Sequence, residues 1–218
     1  MTRITRLLAA VAVGGIGLAV LSSCAPAREA TVLEPPSMSW QGAEPAFGLE
    51  DNAGVKYLRD YHLAVALAWN TGDFALELLG QSVPPADISG YARQYAEQGD
   101  LPFVFRGPKA FEPISVVDVP DERLTVTVCE AVRSVYLTDL DPYAAERVEP
   151  VRQVEYRLDE ISPGTYRFGD STTVEASEEY PDCLGLTIPV ALFDVPPTMP
   201  ELPVTAVVRE PLVSEDDQ

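Results

Sequence analysis

The chain has 218 residues, a formal net charge of -19 and 46% hydrophobic residues. That length holds one ordinary domain with tails, and that apolar fraction suits a packed core rather than a wholly disordered chain. With 34 acidic against 15 basic residues it has no basic surface to offer nucleic acid, and three Cys with one His leave little for a zinc site.

Residues 1–23 read as an export signal. Arg3 and Arg6 make a positive start, and residues 7–21 form an uncharged apolar run interrupted by Gly14, Gly15 and Gly17. The run is short for a membrane span, which needs about 20 apolar residues. It ends in Leu21-Ser22-Ser23-Cys24. That tetrad resembles the bacterial lipobox: an aliphatic residue and two small ones before a Cys. The resemblance implies a diacylglyceryl group on the Cys24 thiol, with palmitate-type chains, and cleavage just before Cys24. It also implies a cell-membrane protein facing the extracytoplasmic side. An ordinary signal peptide with a chance Cys is the alternative. Two acyl chains suffice for stable anchoring. The acidic body, at -21 once Arg3 and Arg6 leave the -19 chain, would be repelled by anionic lipid, so the lipid anchors alone.

Residues 24–52 read as a flexible tether: Pro26, Pro35, Pro36 and Pro45 stand among small and acidic residues without a helix or strand period. If flexible, the tether would hold the body about 30 Å off the membrane. Met38, Trp40, Phe47 and Leu49 offer a way to dock its second half on the body.

The body is expected over residues 53–188. Residues 53–69 are the strongest helix, with Val55, Leu58, His62, Val65 and Trp69 on one face and Lys56, Arg59 and Asp60 opposite. Asn70-Thr71-Gly72 ends it, Gly suiting a left-handed cap. Asp73 can cap a short helix over 74–79, and a third helix fits 87–98. Strand signals follow at 103–106, 114–119 and 124–128, the last alternating cleanly. Val154, Tyr156 and Leu158 alternate with polar residues, and Ser162-Pro163-Gly164 turns the chain into a hairpin partner over 165–168. Helices first and antiparallel strands afterwards argue for an α+β class. Residues 189–218 form a Pro-rich acidic tail, with an edge strand conceivable at 204–208 and an acidic end at 215–218.

With Cys24 assigned to lipid, Cys129 and Cys183 remain, and outside the membrane such a pair reads as a disulfide. The alternative is two unpaired buried thiols.

The run Trp69-Asn70-Thr71-Gly72-Asp73-Phe74, with Leu76, Leu79 and Pro84 after it, resembles the opening of nuclear transport factor two-like domains. The later strands, with Cys129 and the hairpin before Tyr166-Arg167-Phe168, look like the version in small actinobacterial lipoproteins. The resemblance covers about residues 53–185. It implies a cone-shaped, cystatin-like fold with helices packed in a curved antiparallel sheet. It further implies a pocket between helix and sheet, or dimerisation through the sheet. Tyr57, Tyr61, His62 and Trp69 are the candidate pocket residues. The family contains isomerases and dehydratases as well as members that only bind, and fold alone does not choose.

Chemistry is sparse. His62 is the only imidazole, and as an acid or base it would need a carboxylate in reach, Asp118 or Glu130 by position. The plainer expectation is a core or pocket-rim His. Asp139-Leu140-Asp141 lacks the rest of a calcium loop, and Glu175, Glu178, Glu179 and Asp182 suit a solvated loop. No nucleotide or hydrolase motif is present. The expectation is therefore a binding or scaffolding lipoprotein without metal or cofactor. Its partner would be a small apolar molecule or an envelope protein. The alternative is an isomerase- or dehydratase-like enzyme using His62.

Overall fold

A computed structural model describes residues 31–41, 45, 48–97, 104–118, 123–131, 136–137, 151–174, 183 and 186–198. The export signal, Cys24, Asp139-Leu140-Asp141, the acidic run at 175–182 and the segments at 204–208 and 215–218 lie outside the described residues. No helix among the described residues is long and apolar enough to cross a membrane.

The element order is β1 (Met38–Gln41), α1 (Ala53–Thr71), α2 (Glu77–Ser82), α3 (Pro85–Glu97), β2 (Val104–Phe105), β3 (Phe111–Val117), β4 (Leu124–Ala131), β5 (Tyr136–Leu137), β6 (Val151–Ser162), β7 (Thr165–Val174) and β8 (Val190–Phe193). The class is α+β. Strands β3-β4-β6-β7 form a four-stranded antiparallel sheet. Its register shifts at Pro113/Ser115, Arg157/Leu158 and Glu160/Ser162, irregularities of the kind that bend strands into a curved sheet. Pro113 is tolerated because β3 is an edge strand and the shift begins there.

Asn52 caps α1 by accepting from the Gly54 N–H at 2.9 Å. The N-terminal turns of α1 place Val55 and Leu58 against Phe111, Val126, Val154, Tyr156 and Leu158 of the sheet. Its later turns are buried almost all round, with Tyr61, Leu67 and Trp69 meeting Phe74, Leu79, Ile88 and Phe105. Gly72, at φ 65°, ends the helix in the left-handed region, where a side chain would be strained.

Three local expectations are corrected. The helix expected at 74–79 starts later, as α2, because Thr31 bridges the chain there. Its N–H donates to the Ala75 carbonyl and its own carbonyl accepts from the Glu77 N–H, both at 3.0 Å. Asp73 caps only the turn before it, accepting from the Ala75 N–H at 3.0 Å. Arg59 does not sit on a solvent face. It lies 3.7 Å over the Phe111 ring and 5.6 Å from Trp40, and bonds Glu50 at 2.7 Å.

Third, one stretch of each expected end is tied into the fold as a strand, the docking that Met38 and Trp40 left open. Met38–Gln41, from the tether, pairs antiparallel with Val190–Phe193, from the tail. Apolar residues drive this: Ala191 and Phe193 are buried, and Trp40 is half-buried. The Phe193 N–H also donates to the Arg106 carbonyl at 2.8 Å. The ribbon therefore seats the loop between β2 and β3.

On the sheet face away from α1, Cys129 and Cys183 form a disulfide, with Sγ atoms 2.09 Å and Cα atoms 5.4 Å apart. Ala110 and Ile188 pack around it.

Candidate functional site

A cavity of about 530 Å³ opens between α1, α3, the loop after β2 and strands β6 and β7. Tyr61, His62 and Trp69 of the expected pocket line it. Tyr57 does not; its hydroxyl donates to the Ser82 carbonyl and accepts from the Phe168 N–H at 2.6 Å. That phenol therefore ties α1 to both α2 and β7. Burial pushes its pKa up to about 12, with the Phe168 N–H pulling partly against the rise.

The apolar walls come from aromatic rings. Tyr61 stacks on Phe168 with centroids 5.2 Å apart, and its hydroxyl meets the Tyr91 hydroxyl at 2.6 Å. Burial raises the Tyr61 pKa, and Tyr91 and the Asp87 charge add to the rise. Trp69 and Phe105 meet edge to face at 6.3 Å.

The polar end is built on β4 and β6. Glu130 and Arg152 are direct cross-strand partners, so both side chains leave the sheet on the same side. Glu130 is 0% exposed. Its Oε1 accepts from Arg152 Nε at 2.8 Å and Nη2 at 2.5 Å, and from Lys109 Nζ at 2.7 Å. Its Oε2 accepts from the Tyr156 hydroxyl at 2.5 Å. Burial alone would raise this carboxyl, but Lys109, Tyr156 and Arg152 outweigh it and hold the pKa below its ordinary value. Glu130 is thus an ionised anchor that holds two cations at the cavity.

His62 stands beside this cluster, edge-on to Tyr156 with centroids 5.8 Å apart and 5.1 Å from Tyr61. It is 7% exposed, and its Nε2 has no hydrogen-bond partner among the described residues. Burial, then the Lys109 charge, push its pKa down to about 3, against an upward pull from Glu130. The ring is neutral at neutral pH.

Of the two carboxylates considered for His62, Asp118 is exposed at the end of β3, away from the cavity lining. Glu130 is close enough to act on His62 through charge, yet its oxygens bond Lys109, Arg152 and Tyr156. Lys109, Arg152, Asp87 and Tyr91 were not singled out by motif. The available signal was parity: Glu130 shares the inward phase of Leu124, Val126 and Val128, and Arg152 that of Val154, Tyr156 and Leu158. A charge at an inward position of each of two paired strands marks a buried pair.

Among the described residues, no three His, Cys, Asp or Glu side chains gather as a metal site would require. No protein-family model matches the chain, and no match is found among curated proteins or solved structures.

Proposed function

We propose that the chain is an exported lipoprotein, anchored through a diacylglyceryl group on Cys24 at the outer side of the cell membrane. Its body would be a nuclear transport factor two-like domain that binds a small, largely apolar molecule without transforming it. The observation that carries this is the cavity of about 530 Å³ with stacked aromatic walls, a size and lining suited to a small organic ligand. The lipobox-like tetrad supports the anchor, and the order of helices before a curved antiparallel sheet supports the family resemblance. Binding of an envelope protein, or self-association through the sheet, is compatible with the same anchor.

An isomerase or dehydratase using His62 has one feature in its favour, the unpartnered Nε2 beside a cavity. A ring with its pKa near 3 is a weak general base at neutral pH, and Glu130 is committed to its cations. Binding is therefore the better reading. Native mass spectrometry of the purified chain, with a thermal-shift screen of small apolar molecules, tests it. A bound molecule, or a melting shift lost on filling the cavity with Val154→Trp, is expected. No bound mass and no shift would overturn it. Fatty-acid labelling lost in Cys24→Ala tests the anchor separately.

A further inference from the structure

The cavity has two poles of opposite chemistry. At one, Asp87 on α3 lies near the Tyr61–Tyr91 hydroxyl pair and makes those phenols harder to ionise. At the other, Lys109 and Arg152 meet a single carboxylate, Glu130. Among the described residues, two positive charges there face one negative, in a chain that carries 34 acidic and 15 basic residues and only two Lys.

Among the described residues, the donors at this pole are not used up. Lys109 has three N–H donors and Arg152 five. Glu130 takes one from Lys109 and only Nε and Nη2 from Arg152. Glu130 itself has both oxygens engaged, so it holds the cations in place without meeting a ligand. Beside them His62, buried and neutral, lines the cavity with an Nε2 that no described residue satisfies. A buried polar atom left without a partner is destabilising, and a ligand oxygen would relieve it. The imidazole tautomer protonated on Nε2 donates to that oxygen.

We propose that the ligand is an amphipathic organic acid, its carboxylate held by Lys109, Arg152 and His62 Nε2 and its apolar or aromatic body against Tyr61, Trp69 and Phe168. This rests on the reading of the cavity as a ligand site. It goes further by naming a charged head and the residues that take it. Arg is suited to the part because its planar fork can bond one carboxylate on one edge and a second on another.

The test compares matched probes on the full chain: naphthalene-1-acetate and dodecanoate, each beside its uncharged amide, by isothermal titration at pH 7.5. Each acid should bind at least about tenfold more tightly than its amide, the discrimination expected of a charge-assisted pair. Arg152→Gln and Lys109→Gln should each shrink that ratio while leaving amide affinity within about twofold. Retained amide binding shows that the variants still fold. Asp87→Asn leaves the cationic pole intact and should not shrink the ratio. If acid and amide bind equally, the proposed head group is wrong while the ligand cavity stands. If neither member of any pair binds, both readings fall.

Discussion

The Asn70 side chain pairs with the backbone of Phe105 as though it were a short strand. Its Nδ2 donates to the Phe105 carbonyl at 2.8 Å, and its Oδ1 accepts from the Phe105 N–H at 2.7 Å. Asn70 stands at the C-terminal end of α1, and Phe105 lines the cavity next to Trp69. One amide thus fixes the end of the helix to the strand that carries a cavity wall.

Removing both bonds with Asn70→Ala should destabilise the fold by about 1–3 kcal/mol. Asn70→Asp keeps the acceptor but sets a carboxylate oxygen against the Phe105 carbonyl, so it should cost at least as much. Urea unfolding checks both. Equal midpoints for wild type and Asn70→Asp would show that the pairing contributes nothing.

His62 should make the protein acid-sensitive in a defined window. Its folded pKa is pushed down to about 3 by burial and Lys109, with Arg59 adding and Glu130 opposing. Unfolded, the ring titrates at about 6.5. Between those values the unfolded chain binds the proton and the folded chain does not, so stability falls as pH falls. The loss at pH 5 should be about 2 kcal/mol relative to pH 7.5. Glu130, also depressed, adds its own loss only below its ordinary value of 4.5, as pH falls through its lower folded pKa. Unfolding of His62→Gln at both pH values isolates the ring. The variant should lose about 2 kcal/mol less than wild type.

The order of elements was legible because periodicity survives in single segments. The alternation of Leu124, Val126 and Val128 marks β4, and the Ser162-Pro163-Gly164 turn marks the β6–β7 hairpin, with Gly164 at φ 73°. What could not be read was pairing between distant residues. Nothing local in Met38–Gln41 says that Val190–Phe193 will be its partner. The same holds for the site. His62, Tyr61 and Trp69 share one helix and its spacing, so they could be grouped in advance. Lys109 and Arg152 reach Glu130 from a loop and another strand, and Lys109 follows a Gly-Pro pair that reads only as a break.

That loop supports a further expectation. A side chain at Gly107 would run into the backbone carbonyl of Ala191 on β8, which cannot move aside as a side-chain tip would. Gly107→Ala should therefore push the loop off the β1–β8 ribbon and shift Lys109 with it. Overpacking of this kind costs about 1–3 kcal/mol. The melting temperature should fall, and the preference for acid over amide should weaken with it. A variant with unchanged melting would show that the ribbon does not seat the loop.

The disulfide should matter more to stability than to the cavity, because it lies on the opposite sheet face. It closes a 54-residue separation, for which loop-closure entropy gives about 4 kcal/mol. Cys129→Ala with Cys183→Ala should lose about that much in urea unfolding. Amide-probe affinity at low temperature should be unchanged. Mass analysis without reductant should find no free thiol on either residue.

Glu130→Gln gives the sharpest separation between holding the site and touching the ligand. The amide side chain keeps nearly the same shape but loses the charge that neutralises Lys109 and Arg152. Leaving a buried charge without its partner costs about 3–5 kcal/mol. Here Lys109 and Arg152 are partly exposed, with side chains 23% and 36% accessible, so water recovers some of that and about 2 kcal/mol is expected. The cationic pole meanwhile becomes more positive. If the net positive charge of Lys109 and Arg152 governs binding and their exact placement does not, the folded variant should bind the acid probes at least as tightly as wild type, with the amides unchanged. A selective loss of acid binding in a variant that still binds the amides would instead show that the carboxylate's grip on Lys109 and Arg152, rather than their charge, sets the geometry of the head-group site.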